Sequence, residues 1–156
     1  MKKTEVVNLF NLFDLIKAKE SNIKFSYAVV KNKKIIQTEI ESIEEIQKEK
    51  EKILEGYLTE RDELIKKFGK TNEKGLPEIK AEDKQAMANF TSEDIILREK
   101  YKNELEEYTL KQKEFDEILE EEVEFNFHKM KIDIMPDFIT PQMLEFLMEI
   151  GIVESD

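Results

Sequence analysis

RDELIKKFGKTNEKGLPEI, residues 61–79, opens as a charged helix, reaches Phe68-Gly69 and then runs through turn-forming residues before regular apolar spacing returns. A chain that stops a helix there reverses, and its flanks say what reverses. Upstream, the pattern is helical from Tyr27 to Phe68, about 42 residues or roughly 63 Å at 1.5 Å per residue. Within it Ile36, Ile40, Ile43, Gln47, Lys50, Leu54, Tyr57, Arg61, Leu64 and Phe68 alternate steps of four and three, the a/d rhythm of a coiled coil with three polar members. Ile46 and Ile53 flank the polar places and can share the seam. Downstream, residues 69–90 hold Gly69, Gly75 and Pro77 without sustained periodicity, which predicts a long connection with room for a helical turn over residues 81–89. Thr91 or Ser92 then caps a third helix to about Glu120, supported by Glu93 and Asp94 in its first turn. Its seam is Leu97, Tyr101, Leu105, Tyr108, Gln112, Phe115 and Leu119. Two helical stretches of matched length around a turn predict an antiparallel hairpin over residues 40–120, with its tip loop at 69–90.

The two ends of the chain predict something more compact. Thr4 can cap a helix from residue 5 to about 19, with Val6, Leu9, Phe10, Phe13 and Ile16 at helical spacing. Residues 22–26 alternate briefly and fit either a short strand or the frayed start of the next helix; the strand is favoured, with Ser26 as the N-cap that follows. After Glu120-Glu121-Glu122 the period changes to two. Val123, Phe125 and Phe127 share one face, and Met130, Ile132 and Ile134 share one after a slip of parity at His128-Lys129, which predicts strands joined by a bulge or turn. Pro136 stops the strand. Thr140-Pro141 supplies an N-cap and an N1 proline for a short helix, and Gly151 with Ile152 predicts a Schellman ending in which Ile152 packs back on Leu147. The expected fold is one domain, mainly α with an α+β base: a long antiparallel coiled-coil hairpin (40–120) projecting from a base (1–39 and 121–156) of two short helices and a two- or three-stranded antiparallel sheet.

Composition narrows the class of function. With 156 residues, 40% of them apolar and 39% charged, and with ten Phe and four Tyr, the chain suits one folded domain carrying long solvated helices. Its formal net charge is -11, but residues 1–34 hold eight lysines against Glu5, Asp14 and Glu20, a net of +5, so the remaining residues carry -16. That acidic body disfavours direct nucleic-acid binding and suits a protein partner with a basic surface. Cysteine is absent, which excludes thiolate sites and disulfides and agrees with a reducing cytoplasm. MKKTEVVNLFNLFDLI places two lysines before apolar residues, but Glu5, Asn8, Asn11 and Asp14 interrupt it and no cleavage site follows, so it reads as an amphipathic helix and no signal peptide is expected. No run of about 18 uncharged apolar residues occurs, and no membrane span is expected.

Each stretch that could carry chemistry has a plainer reading. His128, the single histidine, ends a run of alternating aromatics with no nucleophile or orienting carboxylate marked beside it. Glu104, Glu106, Glu107 and Glu120-Glu121-Glu122 with Glu124 lack the glycine-centred spacing of calcium loops and the Glu-x-x-His of di-iron bundles. Gly69 to Gly75 lacks the Gly-Lys-Ser/Thr ending of a phosphate loop. Lys31, Lys33 and Lys34 beside Tyr27 form the densest basic patch and are read as a solvated turn. No catalytic, cofactor-binding or metal-binding residue is therefore expected. The candidate partner contacts are acidic positions Glu106, Glu107, Glu120, Glu121 and Glu122, whose carboxylates along a rod could imitate a phosphate ladder, and tip positions Lys70, Asn72 and Lys74.

In order and wording, SYAVVKNKK (26–34), the segment RDELIKKFGKTNEKGLPEI and FNFHKMKIDIMPDFITPQMLEFL near the end resemble small proteins encoded by phages and prophages of low-GC Gram-positive bacteria. In those a Ser-Tyr and Lys-Asn stretch opens a long helix and a lysine-aromatic-glycine element ends it. The present chain departs at Thr71-Asn72-Glu73-Lys74 and in a longer 77–92 segment. The resemblance transfers no activity. It implies a phage origin, the cytoplasm of a bacterial host, and the non-enzymatic role of binding and inhibiting or modulating a host protein such as a defence nuclease. The alternative is a structural or chaperone-like assembly module that uses the hairpin, and the polar seam residues Gln47, Lys50 and Arg61 leave room for a homodimer.

Overall fold

The computed structural model describes residues 1–154. Among them it is mainly helical, with a small two-stranded antiparallel sheet and a two-residue pair of parallel strands. The helices are α1 (Lys3–Lys17), α2 (Ile23–Ile53), α3 (Glu55–Phe68), α4 (Lys84–Lys100), α5 (Lys102–Leu119) and α6 (Pro141–Glu149). The strands are β1 (Lys70–Thr71), β2 (Pro77–Glu78), β3 (Met130–Lys131) and β4 (Val153–Glu154). The chain divides into two compact units, one of Met1–Glu45 with Asp116–Asp156 and one of Ile46–Phe115.

In the first unit, Val6, Leu9, Phe13 and Ile16 of α1 meet Phe25, Val29, Ile36 and Ile40 of α2, and Phe127, Met130, Leu147, Ile152 and Val153 complete the core. Burial of that apolar set, at about 25 cal/mol per Å², is the main source of this unit's stability. α1 and α2 run antiparallel, since Lys33 pairs with Asp14 while Lys3 pairs with Glu39. α6 begins as its sequence predicts, with Thr140 Oγ1 accepting from Met143 N–H at 3.3 Å and proline at the first position. It also ends so. Gly151 takes φ +72°, Ile152 N–H donates to Leu147 C=O at 2.9 Å, and both Ile152 and Leu147 are buried.

The predicted strand at 22–26 is instead the first turn of α2. Asn22 Oδ1 accepts from Phe25 N–H at 2.9 Å and Ser26 N–H donates to Asn22 C=O at 3.0 Å, so Asn22 caps the helix four residues before the expected Ser26. The predicted antiparallel sheet over 123–134 is also absent. Met130–Lys131 pairs in parallel with Val153–Glu154, and residues 132–134 form a 3-10 turn. The alternation nonetheless reports sidedness: Val123, Phe125 and Phe127 pack on the core while Glu124 and Asn126 are exposed. Their backbone finds other partners. Val123 N–H donates to Met1 C=O at 2.8 Å, Lys3 N–H donates to Glu121 C=O at 3.0 Å, and a side chain, Asn32, serves His128. Thr4 does not cap α1; its hydroxyl donates to Leu119 C=O at 2.9 Å.

In the second unit, contacts between Lys50 and Gln112, Gly56 and Tyr101, and Lys67 and Glu93 fall in reverse order along the chain, so α3 and α4 run antiparallel. The two long helices are each interrupted, at Leu54 and at Tyr101. A side-chain carbon on Gly56 would lie 3.0 Å from the Tyr101 hydroxyl, so the glycine admits that ring. The antiparallel sheet lies in the stretch predicted as loop, pairing Lys70 with Glu78 and Thr71 with Pro77. Helix α4 starts at Lys84, capped by Asp83, whose carboxylate accepts from Ala86 N–H at 3.1 Å. Thr91 and Ser92, the predicted caps, lie inside it and donate to Met87 and Ala88 carbonyls. Two cap signals occur in this stretch, and Asp83 wins because the residues between them are good helix formers.

Candidate functional site

Residues 23, 27, 30 and 34 share one face of a helix by spacing. On α2 the opposite face, Phe25, Ala28, Val29, Asn32 and Ile36, is buried in the core, which turns Ile23, Tyr27, Val30 and Lys34 outward. The first turns of α2 are thus apolar on both sides, but only one side is covered. Ile23 is 86% exposed, Tyr27 58% and Val30 48%. Isolated apolar residues are ordinary on a surface; here three follow one another at helical spacing along one face.

Tyr27, at the middle of the ridge, is positioned by a ring from another segment. Asn32, fully buried, accepts from His128 N–H through Oδ1 at 2.7 Å and donates to His128 C=O through Nδ2 at 2.9 Å. This brings the His128 ring edge-on to Tyr27, with centroids 5.7 Å apart. Lys31 Nζ lies 5.8 Å from the Tyr27 centroid and 3.4 Å from His128 Nδ1. Lys24, Lys31 and Lys34 are exposed around the ridge, while Lys33 turns away to Asp14 and the Phe10 ring. The patch is apolar along its crest up to Lys34 and cationic along the flank that bears Lys24 and Lys31.

The other candidate residues scatter. Glu120 accepts from Lys2 and Glu121 from Lys3, at 2.6 and 2.8 Å, and Glu122 bridges Lys2 through the backbone. These bonds to carboxylates hold both lysines above the ordinary amine value, so two of the three acids are engaged with the start of the chain. Glu106 and Glu107 are exposed on α5. Asn72 organises the turn between β1 and β2, its Oδ1 accepting from Lys74 and Leu76 N–H at 2.9 and 3.0 Å, with Lys70 and Lys74 exposed beside it. The second unit also buries two ionic groups. Asp94 accepts from the Tyr57 hydroxyl at 3.1 Å and from Arg98 Nε at 2.8 Å, and burial together with that carboxylate holds the Tyr57 phenol above its ordinary value. Lys50, 4% exposed, donates to Gln112 at 2.6 Å and lies 4.4 Å from the Phe115 centroid.

Among the described residues no group of three or more His, Asp or Glu is placed to hold a metal ion, and no helix is long and apolar enough to cross a membrane. No family model matches the chain, and no curated protein or solved structure is similar to it. A strand over 22–26 takes Ile23 out of the helical pattern, so the expected elements do not show the ridge. The 23/27/30 spacing was the available signal.

Proposed function

We propose that the chain is a non-enzymatic, phage-encoded protein-binding factor that acts in a bacterial cytoplasm by occupying a host protein. The observation that supports this reading is the uncovered ridge of Ile23, Tyr27 and Val30, anchored through Asn32 and His128. Such a face loses water on association and regains in binding what its exposure costs in the free protein. The Asn32–His128 pair sets the imidazole ring against Tyr27, which limits the freedom of that side chain and lowers the entropic cost of ordering it on docking. The a/d spacing supports reading the antiparallel helices of the second unit as a coiled-coil hairpin, with buried Lys50 and Asp94 as its register markers.

A photo-crosslinking residue placed at Ile23 or Val30, with Glu99 on α4 as a control, tests the reading in lysate of a low-GC Gram-positive bacterium. Protein adducts at the ridge in excess of the control are expected. Equal labelling at all three positions overturns it.

A further inference from the structure

We infer that the ridge on α2 takes an acidic amphipathic helix of another protein. The inference rests on the protein-binding reading above and adds the chemistry of the partner. Three observations carry it. The crest, Ile23, Tyr27 and Val30, follows i, i+4, i+7 spacing, which matches the anchors of a second helix laid along it. Lys24 and Lys31 on the flank and Lys34 at the end of the crest supply three exposed cations over the same turns. The segment that bears them, residues 1–34, is net positive by five in a chain that is otherwise strongly acidic.

Charge decides among the occupants of an apolar face. A two-fold pairing of this face with itself sets the lysines of one copy against those of the other, which is repulsive at contact distance. A nucleic acid offers phosphates to the lysines but nothing apolar to Ile23 and Val30, and the chain's net charge of -11 opposes its approach. A membrane surface needs a longer apolar face than two turns of a helix whose reverse side is already committed to a core. A helix with an apolar stripe and flanking Glu or Asp satisfies both the crest and the flank. Lys31, already lying over the Tyr27 ring and beside His128, is held where it can reach such a carboxylate without much loss of side-chain freedom.

The test uses two synthetic helical peptides with the same apolar stripe, one flanked by Glu and one by Lys, titrated into the full-length protein and followed by amide chemical shifts. The expected result is binding of the Glu peptide with shifts centred on residues 23–34 and 128, weakened on the order of tenfold by salt near 1 M, where the screening length falls to about 3 Å. The double variant Lys31→Glu/Lys34→Glu is expected to lose the Glu peptide and gain the Lys peptide. Its exposed positions make misfolding a poor explanation, and unchanged shifts in the core residues Leu9 and Leu147 check this. Equal binding of both peptides overturns the acidic assignment and leaves the protein-binding reading in place. Binding of neither peptide, or preference for anionic phospholipid vesicles or a single-stranded oligonucleotide, overturns the inference as well. Absence of crosslinks at Ile23 and Val30 overturns the reading beneath it, whatever the peptides do.

Discussion

Asn32 of α2 and His128 exchange two hydrogen bonds, at 2.7 and 2.9 Å, in which one amide side chain satisfies both polar groups of one backbone residue. A strand partner would have done the same for His128. Asn32→Ala removes both bonds at a fully buried position and is expected to cost about 2–4 kcal/mol, read from the urea midpoint. Asn32→Asp keeps the acceptor and loses the donor. Burial raises the folded-state value of such a carboxyl above its unfolded one, so the variant is expected to be most stable below about pH 4 and to lose stability as pH rises.

Tyr57 carries an alkaline signature. Its phenol is raised by burial first and by its bond to Asp94 second, with Arg98 and Arg61 opposing. A group with a raised folded-state value contributes stability that is complete below about pH 10 and lost as pH climbs through the folded value. Of the four tyrosines, Tyr57 and Tyr101 are expected to ionise late, Tyr101 because it donates to Glu60. Tyr57→Phe should remove one late step from the phenolate absorbance titration and cost about 1–2 kcal/mol at neutral pH. A titration curve unchanged in its late steps would show that the Tyr57 phenol is not held in this way.

Gly69 and Gly75 differ in why they are glycine. Gly75 has φ +76° with open space around it, so Gly75→Ala carries only the left-handed backbone term of about 1 kcal/mol. Gly69 has ordinary extended backbone, but a side-chain carbon there would lie 2.5 Å from the Ile65 carbonyl oxygen and 2.7 Å from that of Glu78. Gly69→Ala is therefore expected to move β2 away from the end of α3. Loss of the amide protection that pairs Lys70 with Glu78, seen by hydrogen exchange, checks it, and the same residues should stay protected in Gly75→Ala.

Lys50 is the most buried cation of the second unit, held by Gln112 and the Phe115 ring. Lys50→Met keeps its volume and removes the desolvation of a charge, so stability is expected to hold or to rise by about 1 kcal/mol. Lys50→Ala, which leaves a void against Phe115 and Tyr108, is expected to lose about 2 kcal/mol. Thermal melts of the two variants side by side separate the contribution of the stem from that of the charge.

The helical seams were legible because their spacing is local. Ile36, Ile40, Ile43, Tyr57, Leu97 and Phe115 are buried, while Leu54, Leu64, Phe68, Leu105 and Leu119 at the same spacing are only partly covered. The same logic failed at element starts. Asn22 and Asp83 outcompeted Ser26, Thr91 and Ser92 as caps, and each rejected residue found a use inside a helix or against a neighbouring hydroxyl. A period of two at Val123, Phe125 and Phe127 predicts a sheet that does not form, because sidedness and strand pairing leave the same trace in sequence. The backbone partners are distant: Val123 N–H finds Met1 C=O, and His128, the residue after Phe127, finds the side chain of Asn32 on a helix, about a hundred residues away.

By itself, then, the order of residues determined the apolar stripe of α1, how α6 begins and ends, and the polarised charge of the chain. Hydrogen bonds within a turn and side chains four apart are encoded where they act. Only the tertiary structure decided that one apolar face of α2 is buried and the other left open, and which three lysines stand beside it. Coverage of a surface depends on what the rest of the chain brings against it, and no local pattern contains that information.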